Sequence, residues 1–187
     1  MPYPSSSRAL SRRVAFCGIL AALMLVIMLL GTMIPAATFI CPMLAGALSI
    51  PVLWEFGTRS GILLYLAVSV LSLILAPDKE AALMFVCLLG WYPILRPKIQ
   101  HLPQKPLRVG IKLVLFNAAL VAVYALLLFV FTMPDLQAEA AEWTLPLLVV
   151  MILVGNVVFL LFDLLLYRLT EQYVVRLRPK LFAHPPH

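Results

Sequence analysis

Residues 14–33 read VAFCGILAALMLVIMLLGTM, twenty consecutive positions without a charge. A helix rising about 1.5 Å per residue needs about 20 apolar residues to cross the hydrocarbon core of a bilayer. This run is therefore long enough to span. Working outward from it, five more apolar runs follow at residues 36–54, 60–76, 81–95, 110–133 and 145–167. Composition agrees: 64% of the 187 residues are hydrophobic and 12% charged. A soluble domain carries about twice that charge, and a chain this short has no interior able to hide such an apolar surplus. Lipid must cover it. The expected fold is all-α, a polytopic membrane protein with six transmembrane helices in one bundle and a single domain over residues 1–187. Disordered, coiled-coil and ordinary cytosolic classes are excluded.

The connections are short and rich in helix breakers: Ile34-Pro35, residues 55–59, Pro77 to Glu80, residues 96–112 and residues 134–143. Pro42 and Pro51 predict kinks in the second span. The fourth run, 15 residues long with Pro93 inside it, is the shortest; it must thin the bilayer, extend through Arg96 or be partly re-entrant.

Charge predicts the orientation. Six spans put both termini on one side, and thirteen of the fourteen basic residues then share that side. Only Lys79 lies opposite. Glu55, Asp163 and Glu171 accompany the bases, whereas Asp78, Glu80, Asp135, Glu139 and Glu142 lie with Lys79, giving +10 against −4 and the overall +6. Basic loops stay in the cytoplasm, so both termini are expected inside, with residues 168–187 as a basic cytoplasmic tail. The positive charge is thus a topology signal and a contact for membrane lipids rather than for nucleic acid. Arg12-Arg13 before the first span resembles a signal peptide, but the apolar run is too long for one and reads as a retained anchor.

No nucleophile elbow, zinc-helix motif or phosphate loop occurs. Cys17, Cys41 and Cys87 lie singly in apolar runs, and His101, His184 and His187 lie in polar loop or tail sequence, so neither a disulfide nor a metal site is predicted, and no cofactor. What remains is a short set of polar residues in or near lipid. Glu55, Tyr92, Asn117, Asn156 and Asp163 form a predicted intramembrane polar cluster, with Asn156 and Asp163 on one face of the last span. Such residues either form a binding or relay site or bond helices together.

At the opposite end, Asp78, Lys79, Glu80 and Trp143 are candidate ligand contacts. Asp78 is equally a helix N-cap with Glu80 in the first turn. The acidic stretch from Asp135 to Glu142 predicts a short interfacial helix lying across the mouth as a lid, and Trp143 anchors the sixth span at the outer interface. On the first span, Ala15, Gly18, Ala21 and Ala22 make a small-residue stripe that reads either as internal packing or as a docking face for a partner.

Taken together, the layout resembles the substrate-binding S component of energy-coupling factor (ECF) transporters. The features are the basic N-terminus, the alanine- and glycine-bearing first span, Pro35, the stretch from Pro42 to Pro51, the turn from Gly57 to Gly61 and the span ending LILAP at residues 73–77. The chain is also similar to a group of bacterial membrane proteins sharing PDKEAAL (77–83), GWYPILRPK (90–98) and GNVVFLLFD (155–163). The resemblance implies a non-enzymatic, multi-pass protein of the bacterial cytoplasmic membrane that binds a vitamin or metal ion from outside. It further implies docking through helix 1 to an ECF-type transmembrane subunit driven by ATPases. Ala15, Gly18, Ala21 and Ala22 would form the docking face, and Asp78, Lys79, Glu80 and the 134–143 loop the pocket. Two other classes stay open: a membrane scaffold, and, more distantly, an intramembrane lipid-modifying enzyme using Asp163 and Glu55.

Overall fold

The computed structural model of the protein describes residues 6–31, 37–129 and 143–178. The predicted loop at Pro35, the acidic stretch 135–142 and the tail beyond residue 178, with His184 and His187, lie outside the described residues. Among the described residues every regular element is helical.

Helix α1 runs Ser6–Gly31, α2 Ala37–Ala47, α3 Ile50–Leu75 and α4 Lys79–Met84. A π-helical segment, Phe85–Leu89, leads into α5, Tyr92–Gln100; α6 covers Lys105–Phe129 and α7 Leu145–Gln172, which continues as a π-helical turn at Tyr173–Leu177. Five segments are long and apolar enough to cross a membrane: Leu10–Gly31, Ile50–Leu75, Lys79–Gln100, Lys105–Phe129 and Leu145–Arg176. Ala37–Ala47 is a shorter apolar helix. Large apolar side chains stand exposed along these segments, among them Ile19, Leu63, Ile74, Val114, Val121 and Leu153. Surface of that kind is stable only against lipid. The protein is a multi-pass membrane protein.

The chain divides into two compact units, the first ending at Trp143 and the second beginning at Thr144. In the first, α1 packs on α2 and α3, α2 packs on α4 and the π segment, and α6 packs on the same two. Met24, Met28, Ala45, Val52, Leu64, Val68, Ala82 and Phe85 meet in its core. The second unit is α7 with its π-helical turn. Phe159, Phe162 and Leu166 form its buried stripe, and Asn156 and Asp163 border that stripe, both half-buried.

Two boundaries differ from the sequence reading. The predicted second span, 36–54, is interrupted at Leu48-Ser49, just ahead of Pro51, while Pro42 lies inside α2; Pro51 falls in the first turn of α3, where its missing N–H costs nothing. The predicted loop 55–59 contracts to one residue. Gly57 has φ 78° and ψ 176°, a conformation closed to residues with a Cβ, while its neighbours stay helical. On a continuous helix Leu53 and Gly61 would be about 12 Å apart. Instead the Leu53 side chain occupies the space beside the Gly61 Cα, so the two arms fold back at Gly57.

The fourth run is longer than its apolar core suggested. Helix, π segment and α5 form a 22-residue segment, Lys79–Gln100, long and apolar enough to cross a membrane, with its helix extending through Arg96. Its π turn shifts the register, as the bond from Gly90 N–H to the Phe85 carbonyl (2.8 Å) records. The carbonyls loosened there find side-chain donors: Tyr65 Oη donates to Val86 O at 2.7 Å and Trp91 Nε1 to Cys87 O at 2.7 Å. Pro93 has no N–H for the Leu89 carbonyl four residues earlier. That carbonyl abuts Gly46 of α2, where any Cβ would strike it. Glycine here lets the backbones of α2 and the 79–100 segment approach closely.

Candidate functional site

The residues from 76 to 81 join two helices with no spare chain, and Asp78 and Lys79 both serve the junction. Asp78 is the N-cap of α4: its Oδ1 accepts from Ala81 N–H at 3.0 Å. Its Oδ2 accepts from Thr38 Oγ1 at 2.9 Å, tying α2 to the start of α4. Lys79 turns back and donates Nζ to the carbonyls of Leu73 and Ala76, both at 2.9 Å, closing the end of α3. A charged donor on terminal carbonyls is favourable by the helix dipole as well as by the bonds themselves.

Glu80 points elsewhere. Its Oε1 accepts from the Tyr124 hydroxyl of α6 at 2.9 Å, and the Tyr124 ring meets Trp143 edge-to-face, centroids 5.6 Å apart at 87°. The four predicted ligand residues therefore fall into two linked arrangements at one end of the bundle. Asp78, Lys79, Glu80 and Trp143 are all half-buried, and two carboxylates stand against one ammonium. A half-buried, electronegative end with an aromatic pair beside it suits a solute that brings hydrogen-bond donors or positive charge.

Thr38 and Tyr124 escaped the sequence reading. Tyr124 carries a signal in retrospect, being the one hydroxyl in the aliphatic run LVAVYALLLF at residues 120–129. Thr38 carries none beyond its place near Pro35.

The predicted intramembrane cluster is distributed over both units. Glu55, Tyr92 and Asn117 belong to the first; Asn156 and Asp163 belong to the second. Tyr92 is fully buried, and Glu55 is half-buried near the fold-back at Gly57. Asn117 and Asn156 each donate Nδ2 to the carbonyl four residues earlier, Leu113 and Ile152, both at 2.7 Å. Such bonds satisfy an amide within its own helix.

The small-residue stripe of α1 splits between two faces. Ala21, with Cys17, packs toward the core around Met24 and Met28. Ala15, Gly18 and Ala22 face away and are exposed, and a Cβ built on Gly18 meets no atom within 4 Å. Among the described residues no group of three His, Cys, Asp or Glu is placed to hold a metal ion.

The chain matches no family model, no curated protein and no solved structure. Its own residues carry the functional reading.

Proposed function

We propose that this protein is the solute-binding membrane subunit of an ECF-type uptake system, taking a small polar micronutrient from outside and docking through α1 to a partner transmembrane subunit. Six crossings fit this reading: α1, α2 continued by residues 50–56, residues 58–75, residues 79–100, α6 and α7. The fold-back at Gly57 supports separating the two arms of α3, and the charge asymmetry supports cytoplasmic termini in a bacterial cytoplasmic membrane.

The observation that carries the proposal is the Glu80–Tyr124–Trp143 chain. It brings a carboxylate, a phenol and an indole from three parts of the sequence to one half-buried end, which this topology turns outward. The ligand class it favours is a donor-rich or cationic solute rather than an anion. Docking is assigned to the exposed small face of Ala15, Gly18 and Ala22, where a second helix can approach closely. No catalytic role is proposed.

A scaffold reading has one observation in its favour: Asp78 and Lys79 both serve as helix caps. Gly18→Leu and Glu80→Gln separate the two. The uptake proposal expects Gly18→Leu to lose an ECF-type partner on co-purification while retaining solute, and Glu80→Gln to lose solute while retaining the partner. A scaffold loses its complex in Gly18→Leu and never holds solute.

A further inference from the structure

The π turn at Phe85–Leu89 is held by contacts that a plain α-helix would not need. Gly90 N–H reaches back five residues to the Phe85 carbonyl at 2.8 Å, which leaves the Val86 carbonyl to a side chain, the Tyr65 hydroxyl of α3 at 2.7 Å. Gly90 makes room for this arrangement: a Cβ there would stand 2.8 Å from both the Phe85 and the Tyr65 ring. One turn along α3 from Tyr65, the Ser69 side chain is buried beside the Tyr65 hydroxyl, yet its Oγ makes no hydrogen bond.

Tyr65 therefore has two acceptors beside it and gives its one proton to the Val86 carbonyl. A buried hydroxyl left without a partner is costly, and a π turn has an α-helical alternative one residue away in register. When Gly90 N–H moves to the Val86 carbonyl, four residues back, the Tyr65 hydroxyl loses that acceptor, and Ser69 Oγ stands ready to replace it. The two registers exchange one pair of hydrogen bonds for another. Pro93 has no N–H to join a shifted ladder, so the change stops short of α5. The outer turn Lys79–Met84 rotates instead, by about 100°, one residue of helical twist. That rotation parts Glu80 from Tyr124 and Asp78 from Thr38, and these contacts make the π register the major one.

We propose that the π turn is a two-register joint in the 79–100 segment, in which the Tyr65 hydroxyl passes between the Val86 carbonyl and Ser69 Oγ as the turn opens and closes. The joint links the Glu80–Tyr124 end to the middle of the bundle. Whatever holds Glu80 against Tyr124 holds the π register, and by linkage the π register favours that contact. Use of the joint to release a solute rests on the proposed reading of the Glu80 end; the two registers do not.

NMR relaxation dispersion on the full chain in detergent micelles, with no solute added, tests the joint, since helix register shifts fall in the μs–ms range that it detects. Exchange is expected at the Gly90 amide and at the Trp91 indole N–H, which bonds the Cys87 carbonyl inside the turn. Ser69→Ala removes the second acceptor and should lower the minor population about fivefold, the weight of one hydrogen bond. The hydroxyl it deletes bonds nothing in the major register, so the fold stays intact. Glu80→Gln weakens the contact with Tyr124 and should raise the minor population severalfold. A static π turn, with Ser69 satisfied by a buried water, shows no exchange at either group and overturns the joint, as does exchange that Ser69→Ala leaves undiminished. Exchange that answers to Ser69→Ala but not to Glu80→Gln overturns the link to the Glu80 end. Failure of the solute reading is distinct: the chain then carries no solute while the exchange persists.

Discussion

The Tyr124 hydroxyl donates to Glu80 Oε1 at 2.9 Å across 44 residues of sequence, linking α6 to the first turn of α4. A charge-assisted bond of this kind in a half-buried setting is stronger than a neutral one, because the acceptor carries a full charge that is screened less than in water. The bond fixes one wall of the proposed solute site, and Trp143 extends the wall with an aromatic edge.

Removing the phenol tests that wall. Tyr124→Phe should destabilise the protein by about 2 kcal/mol, since it leaves a half-buried carboxylate short of a donor. The double variant Tyr124→Phe, Glu80→Gln should cost less than the sum of the singles, with coupling of about 1 kcal/mol in a thermal-unfolding cycle in detergent.

Gly46 and Gly18 should respond oppositely to the same added methyl group. Gly46→Ala drives a Cβ into the Leu89 carbonyl, where backbone rather than a mobile side chain must yield, so a loss of about 3 kcal/mol is expected. Gly18→Ala meets open space on a helix and should be neutral or gain up to about 1 kcal/mol. Melting temperatures of the two variants check the contrast.

Gly57→Ala places a Cβ at φ 78° and ψ 176°. The expected cost is about 1–3 kcal/mol, without loss of helical circular dichroism at low temperature.

Tyr65→Phe leaves the Val86 carbonyl in the π segment without its 2.7 Å hydroxyl donor. The expected loss is about 1–2 kcal/mol, and amide exchange across residues 85–91 should quicken more than elsewhere.

Most of the helical layout was legible because a membrane span announces itself as an apolar run of fixed length. Asp78 as an N-cap was legible too, because capping is local. What escaped has non-local causes. A π turn at Phe85–Leu89 has no apolar period of its own, and it is held by Tyr65 from another helix. The one-residue fold-back at Gly57 looks like an ordinary breaker-rich loop until its dihedral angles are known. The stripe on α1 looked uniform in sequence, but Ala21 turns inward while Gly18 turns outward, since neighbouring helices decide which face is covered. Thr38 and Tyr124 joined the candidate site only through pairings 40 and 44 residues distant.

The central claim is that the Glu80–Tyr124–Trp143 end holds a small solute. Native mass spectrometry of the protein purified from its own membranes, with Glu80→Gln beside it, tests this most directly. The account predicts a bound, non-lipid small molecule on the wild-type chain that is lost from a folded Glu80→Gln variant. A wild-type chain carrying no such molecule, or a Glu80→Gln chain carrying it undiminished, would contradict the account.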